Sequence, residues 1–528
     1  MNEHLRQLSA AARQAVSKKN WAMVNACATE ILAKDAASSE GHFLAGLVAK
    51  ASNQPGEAVE AFSRTLELDG SRYDAAIELA YQYSAARRNG DAAALVARYE
   101  DMLANSPVYL NMAGSVYSQV GMPEQAWPMF HKANELQPGI DMIQANLASC
   151  GMFLGKIDEA REIYEQLLTR NPHHQRNHLT YAQLEKATDR NHIERMKEIL
   201  RTTNNTPDKN IFIYYAIGKE LEDLEEWDEA FEYFKKAGDA VASVARYDID
   251  ADLELIDKTI DVCTADWLQT GAVTPDASLT SRTPIFIVGL PRTGTTLTDR
   301  IIASHSQVQS VGETQFMQMV LRRESAIESD EKITPAMIEA CAKLDIGVIG
   351  NGYLDMLDYR LGDEPMFVDK LPFNILYLGF ICKAFPSARI IRMKRNPMDS
   401  CFSMYKQVFT WAYKFSYTLD GLGRFYVAHQ RLVDHWRETL QDRFIEVEYE
   451  ALVADQENQT RLLLDKLGLG FEEACLNFDK NKTASATASS VQVRQKIYTG
   501  SVNRWKRYEK QLQPLREYLE NAGIVVDG

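Results

Sequence analysis

The segment GLPRTGTT, Gly289–Thr296, sets two glycines five residues apart and closes on two threonines. This is nearly the spacing of a phosphate-cradling loop, G-x-x-x-x-G-K-[ST], whose backbone N–H groups surround an oxyanion. Thr295 stands where such a loop carries the lysine that grips the β- and γ-phosphates of a nucleoside triphosphate. Gly294 permits close backbone approach, Thr295 and Thr296 add hydroxyl donors, and Arg292 supplies a cation in place of the lysine. A second segment, RMKRNPMDSCFSMY, puts Arg395 at the end of an apolar run, followed by Asn396 and Pro397. Asparagine is a good helix cap and proline a good first helical residue, so another helix N-terminus should face an anion here. Asp369 ends a further apolar run, where a Mg²⁺-dependent ATPase would keep an acid. Without the lysine, however, a triphosphate would be poorly neutralised. A 5′-phosphate joined to a sulfate asks for less charge and has no obligatory metal.

These residues need a sheet to hold them. PIFIVG, Pro284–Gly289, suits a strand buried on both faces. The glycine loop and the helical run TLTDRIIAS follow it, in the order of a phosphate-binding βα unit. MFVDK (366–370) leads into a helix from Pro372, ARIIRMKR (388–395) into one from Pro397, and RFIEVEY (443–449) precedes a helix across RLLLDKLGL. The C-terminal half is therefore expected to be α/β with a mostly parallel sheet. The turn-rich stretch QTGAVTPDASLTSRTP marks the boundary, with a linker at 266–283 and the α/β domain at 284–528.

The first half repeats. Ala58, Ala92, Ala126 and Ala160 recur every 34 residues, each followed four positions later by Phe62, Val96, Phe130 or Tyr164. Gly121 and Gly155, and Pro138 and Pro172, keep the same period. A 34-residue period of this kind resembles the tetratricopeptide repeat. A small residue lets two helices approach, an aromatic one turn later fills the gap, and a proline is expected to start the next helix. The pattern is strong from Gly41 to Pro172, over roughly four units. Trp21–Ala36 has the pattern of the second helix of a degenerate unit, and residues 173–207 stay helical without the landmarks. WDEAFEYFKKA restores them with Ala230 and Phe234, as one more unit or a cap. Residues 1–265 are thus expected to form a helical solenoid, whose concave face suits a protein partner.

Composition sets limits. The 528-residue chain is 45% hydrophobic and 25% charged, ordinary values for a globular protein. It has no apolar run long enough for a membrane span. Its polar start, MNEHLRQLSAAARQAV, lacks the apolar core of a signal peptide, which leads to an expectation of a cytoplasmic protein. The seven cysteines are scattered and form no C-x-x-C pair, against both a disulfide framework and a zinc site. A net charge of −15 argues against a nucleic-acid binder.

PIFIVGLPRTGTTL resembles the 5′-phosphosulfate-binding motif of sulfotransferases that use 3′-phosphoadenosine 5′-phosphosulfate (PAPS) and release 3′,5′-ADP. The resemblance implies that Arg292, Thr293, Gly294, Thr295, Thr296 and Leu297 hold the phosphosulfate, with no metal required. RMKRNPMDSCFSMY is similar to the family's 3′-phosphate segment, which implies that Arg395 and Ser403 bind that phosphate. The solenoid and this domain together resemble the bacterial tetratricopeptide sulfotransferases, and the domain alone the tyrosylprotein sulfotransferases. In the latter a catalytic glutamate stands 21 residues after the loop arginine and precedes a threonine; here Glu313 and Thr314 hold those places. Glu313 is accordingly the expected base, and Lys370 the expected cation on the bridging oxygen. Asp369 is expected to be structural, and His305 to lie at the end of the first helix without acting as the base.

The tail, Ala484–Tyr508, has the composition of a lid. Its SVNRW resembles a family segment with a serine two before the tryptophan; here Asn503 is at that place and Ser501 two residues earlier, so either could contact the transferred group. Tyr449 and Lys506 complete the expected donor site. Gln407 replaces a family arginine four residues after Ser403, with Lys406 beside it. The acceptor is expected to be a hydroxyl of a peptide, sugar or lipid, and the resemblance suggests a homodimer. Two other readings stay open at this point: a degenerate P-loop kinase or NTPase, and a repeat scaffold with an inactive nucleotide fold.

Overall fold

The computed structural model describes residues 3–271, 280–329, 333–409, 412–481, 483–484, 487, 490–497 and 499–527. Most of the expected linker lies outside the described residues. The chain divides into two compact units, Met1–Leu154 and Gly155–Gly528.

In the first unit the 34-residue landmarks become helix contacts. Its helices are Glu3–Ser17, Trp21–Lys34, Ser39–Ala51, Pro55–Leu68, Tyr73–Ala85, Asn89–Tyr99, Pro107–Gln119, Pro123–Leu136 and Asp141–Leu154. Ala58, Ala92 and Ala126 are fully buried, and so are Phe62 and Val96 one turn on. The space for the aromatic ring comes from a glycine sixteen residues earlier in the sequence. A Cβ on Gly46 would stand 2.6 Å from the Phe62 ring, and one on Gly114 2.7 Å from that of Phe130. The prolines expected to start helices do not. Pro138 and Pro172 lie in turns, whereas Pro55, Pro107 and Pro123 open helices. A proline just past a helix end stops it rather than starting the next.

The second unit begins with more helices of the same kind, Ile157–Arg170, Gln175–Leu184, Asn191–Thr202, Ile211–Asp223 and Trp227–Val244. Gly218 and Phe234 repeat the glycine–aromatic contact at 2.7 Å. A five-stranded sheet follows: β1 (Thr283–Val288), β2 (Val308–Gly312), β3 (Met366–Lys370), β4 (Arg389–Lys394) and β5 (Phe444–Glu448). The strands are all parallel, in the order β2-β3-β1-β4-β5. β2 falls between the first helix and Glu313, where the sequence reading placed no strand. It is a short edge strand whose half-buried positions carry little hydrophobic signal.

Both faces of β1 are covered, as its unbroken apolar run requires. Ile285 and Ile287 pack with Ile301, Ile302, Leu463 and Leu464 on one side. Phe286 and Val288 join the larger core on the other, which also takes in the last repeat helices. Phe234 meets the Phe402 ring edge-on at 6.5 Å, Phe231 stacks on Tyr405 at 5.8 Å, and Trp227 meets Tyr508 edge-on at 5.8 Å. Gly238 brings that helix so close that a Cβ would stand 2.6 Å from the Tyr417 carbonyl oxygen. The final repeat helix is therefore part of the core beneath the sheet. Among the described residues no helix is long and apolar enough to cross a membrane.

Candidate active site

In an open parallel sheet, ligands bind beyond the carboxyl ends of the strands, where the connections diverge to opposite sides. That point here is β1, between β3 and β4. Every strand delivers an expected site residue at this edge. Glu313 follows β2, Lys370 ends β3, Arg292 lies in the loop after β1, Arg395 follows β4 and Tyr449 follows β5.

The loop after β1 is built for close approach. Gly289 and Gly294 take φ values of 146° and 99°, and Arg292 itself sits at φ 66°. A non-glycine residue held in this left-handed region stores strain and is a feature of ligand clamps. Gly294 caps the Thr295–Ile302 helix and leaves its first N–H groups without a side-chain cap. A Cβ at Gly294 would stand 2.6 Å from the Tyr449 ring. The Thr293 hydroxyl donates to the Leu290 carbonyl at 2.7 Å, which holds the turn closed. Thr295 and Thr296 are buried and Leu297 half-buried, with the Thr296 hydroxyl 3.5 Å from that of Thr487. Arg292 donates to the Gln492 side chain at 2.8 Å.

Glu313 and Lys370 form an ion pair across the ends of β2 and β3. The lysine side chain is 0% exposed and the glutamate 37%, so the cation is sunk and the carboxylate reaches toward solvent. Asp369, next to the lysine, points into the core. It accepts from Tyr353 at 2.8 Å, from Asn374 at 3.2 Å and from the Thr314 hydroxyl. Burial pushes its carboxyl up to about 6 despite these donors. Its ties to Thr314 and to its own strand hold the neighbours Glu313 and Lys370 in register. Asp299, on the helix after the loop, is also buried beside Lys370, and burial raises its pKa.

Arg395 is 9% exposed. Its guanidinium donates to the Arg292 carbonyl at 2.7 Å and to the Ser501 carbonyl at 2.8 Å, and lies over the Tyr449 ring at 4.7 Å. Its Nε is buried with no hydrogen-bond partner. The Tyr449 and Ser501 hydroxyls meet at 2.6 Å. The Asn396 side chain accepts from Met398 and Asp399 N–H at 3.0 and 3.1 Å, so the cap and the Pro397–Tyr405 helix form where the sequence placed them. Ser403 lies half-buried on that helix, and no hydrogen bond joins it to Arg395 among the described residues.

Residues 284–473 match the sulfotransferase family, and residues 143–174 match the tetratricopeptide repeat. The C-terminal region is a sulfotransferase-family domain. An uncharacterized protein of Aquifex aeolicus (strain VF5) is 30% identical over 429 residues, 79% of this chain and 55% of that protein. Protein-tyrosine sulfotransferase 1 of Danio rerio is 26% identical over 221 residues, 39% of this chain and 60% of the relative. The chain thus spans little more than half the length of these curated relatives. The sulfotransferase domain of the Synechococcus PCC 7002 olefin synthase aligns at 21% identity with a TM-score of 0.32, over 47% of this chain and 97% of that one.

The structure separates the two candidates in the tail of the sulfotransferase domain. Ser501 joins Arg395 and Tyr449, whereas Asn503 is exposed, at φ 59°, and uses its backbone N–H on Asp399 at 2.6 Å. Asp399 also accepts from Trp505 N–H at 2.9 Å. Lys506 is exposed and its ammonium is 5.9 Å from the Trp505 ring, with no tie to Arg395. His305 is buried, its Nε2–H donating to the Gly470 carbonyl at 2.9 Å and its Nδ1 accepting from Gln307 N–H at 3.1 Å. Both ring nitrogens are committed to chain contacts.

Sequence reasoning missed Asp399, Asp299 and Glu222. Asp399 and Asp299 look like ordinary helix acids. Glu222 sits in the acid-rich run KELEDLEEWDE, which has the composition of a solvated helix end. In the structure it is buried and paired with Lys406 at 2.7 Å and Arg504 at 3.3 Å. Burial acts to raise its pKa, but Lys406, Arg504 and the Tyr508 hydroxyl outweigh burial and hold it low. Burial, opposed by Glu222 and helped by Arg504 and Arg292, brings the Lys406 ammonium down to about 8. Gln407, beside it, turns to the Val408 carbonyl at 3.4 Å.

Proposed function

We propose that the chain is a PAPS-dependent sulfotransferase that moves a sulfuryl group to an acceptor hydroxyl. The observation that carries this reading is the Glu313–Lys370 pair at the carboxyl edge, beside a lysine-free glycine loop and opposite Arg395. Two features fit the donor. Gly294, at φ 99°, opens a helix whose first N–H groups have no side-chain cap, and the Arg395 Nε is a buried donor with no hydrogen-bond partner. PAPS, when bound, supplies a sulfuryl group already activated for transfer.

The roles follow from position. The N–H groups of Thr293 to Leu297 would hold the 5′-phosphosulfate, and Arg395 and Ser403 would bind the 3′-phosphate. Glu313 orients the acceptor hydroxyl and takes its proton. Lys370 and Arg292 meet the negative charge that grows on the departing oxygen. Tyr449 and Ser501 close the site around Arg395. No group beyond these is needed, because sulfuryl transfer, like phosphoryl transfer, depends mainly on placement and charge. The protein-tyrosine sulfotransferase relatives make a peptide tyrosine the first acceptor to test, with sugar and lipid hydroxyls next. The repeat region is assigned to holding that acceptor or a partner protein.

Calorimetric titration of the full chain with 3′,5′-ADP, without Mg²⁺, tests the donor site. Tight binding is expected, weakened by about 10²-fold or more in Arg395→Ala, the usual cost of removing a buried charge-assisted contact. Binding of ATP–Mg²⁺ in place of 3′,5′-ADP would overturn the reading.

A further inference from the structure

The domain matched by the sulfotransferase family begins at residue 284, yet one acid in its donor region comes from residue 222. Glu222 lies on the Ile211–Asp223 helix of the final repeat pair. Its carboxylate receives both oxygens' worth of contact from the Lys406 ammonium, at 2.8 and 2.7 Å. It also accepts from the Tyr508 hydroxyl at 3.2 Å and stands 3.3 Å from the Arg504 Nε. Lys406 is the residue after the Pro397–Tyr405 helix, which carries Ser403 and starts from the strand end that presents Arg395. Arg504 and Tyr508 bracket Trp505 in the closing segment, whose Ser501 touches Arg395 and Tyr449. Earlier in the same tail, Arg494 lies against Gly155, where a Cβ would stand 2.7 Å from the arginine side chain.

The closing segment is therefore held at two carboxylates. Asp399, inside the sulfotransferase domain, takes its backbone N–H groups at 503 and 505. Glu222, on the repeat helix, takes its side chains at 504 and 508. Without Glu222 the cations Lys406 and Arg504 would face each other, and Arg292 beyond them, with no shared counter-charge. Like charges in a half-buried site repel, and the mobile partner is the one that moves. Here that partner is the segment with Arg504, because Lys406 is fixed by the helix end.

We propose that Glu222 is a positioning residue of the donor site, by which the final repeat pair holds the 499–508 segment closed over Arg395 and Tyr449. This rests on the reading of the site as a PAPS site. It makes the last repeat a working part of the enzyme and not solely a surface for partners. Glu222 does not touch the donor; it acts through Arg504, Tyr508 and Lys406.

The test uses the full chain, with Glu222→Gln, Arg504→Met and the double variant, titrated with 3′,5′-ADP and followed by hydrogen exchange. Glu222→Gln is expected to weaken 3′,5′-ADP by about tenfold or more, the loss of one charge-assisted contact. The KM for PAPS should rise with little change in kcat, and exchange should quicken at 499–508 while the Ile211–Asp223 helix stays protected. Because Glu222 works through Arg504, the double variant should be no weaker than Glu222→Gln alone. If Glu222→Gln fails to fold, Arg504→Met, at a half-exposed position, must show the same selective loosening and weaker binding. Unchanged or tighter 3′,5′-ADP binding, additive losses, or loosening spread over the whole core would overturn the proposal and leave the sulfotransferase reading intact. Absence of 3′,5′-ADP binding in the unaltered chain would overturn both.

Discussion

The repeat helices and the sheet domain are held together by different kinds of contact. In the repeats, Gly46 meets Phe62, Gly114 meets Phe130 and Gly218 meets Phe234, each sixteen residues apart in the chain. The same small-against-large contact is made again and again by neighbours. In the sheet domain Arg395 reaches Arg292 and Ser501, 103 and 106 residues away. Glu222 reaches Lys406 across 184. Repeats stack by local rules and tolerate change piecemeal, whereas the site exists only once the whole sheet has formed.

The difference can be broken first by cutting the chain. A protein starting at Gly155 should fold and bind 3′,5′-ADP, since Gly155–Gly528 is one compact unit. One starting at Pro284, where the family match begins, should not fold, because Phe402, Tyr405 and Tyr508 lose Trp227, Phe231 and Phe234. Circular dichroism and calorimetry of the two truncations would decide. A folded, 3′,5′-ADP-binding 284–528 fragment would count against this account.

Next in size are the two groups at the strand ends. Glu313→Ala and Lys370→Ala should each lower the rate of sulfuryl transfer by about 10²–10⁴-fold. Glu313→Gln should keep 3′,5′-ADP affinity within about threefold, since the base addresses the acceptor. Equal losses in donor binding and turnover for Glu313→Gln would move it from base to donor ligand.

Matched glycine substitutions sharpen the comparison. Gly114→Ala overpacks the Phe130 ring and should cost about 1–3 kcal/mol of stability with donor affinity unchanged. Gly294→Ala adds strain at φ 99° and a clash with Tyr449. It should cost a similar ~1–3 kcal/mol and also abolish measurable 3′,5′-ADP binding. Thermal melts beside titrations separate the two outcomes.

The smallest difference appears on acidification. Burial lowers the His178 imidazole of the repeats to about 4 and the His429 imidazole of the sheet domain to about 3. Free histidine takes its proton near 6.5, so the unfolded chain binds more protons as the pH falls. Both histidines thus contribute stability that is complete above about pH 6.5 and is lost progressively toward 4 and 3. By pH 5 the loss should be about 2 kcal/mol for each. His178→Leu and His429→Leu should flatten the acid limb of stability measured by urea unfolding; an unchanged slope would mean these rings are not neutral in the fold.

How much of this was legible beforehand depended on where the signal sits. The loop around Arg292, the Asn396–Pro397 cap and the strands ending at Lys370, Lys394 and Glu448 are written in contiguous residues, because a βα corner needs glycines, caps and apolar runs at fixed offsets. β2 was not legible, since VQSVG lacks a long apolar run and owes its pairing to β3. Pro138 and Pro172 carried a true period and a mistaken role, because a proline beside a helix can end one helix as readily as start another.

Local order in the chain was enough to specify the 34-residue repeat, the parallel α/β domain and the residue types that gather at the carboxyl edge of its sheet. Only the folded molecule chose Ser501 over Asn503 beside Arg395, committed His305 to backbone contacts, and turned Glu222 from an ordinary helix acid into a buried counter-charge. These choices depend on which distant side chains share a volume from which water has been removed. There an unpaired charge is costly, so partners found across the fold, and not neighbours along the chain, settle each residue's part.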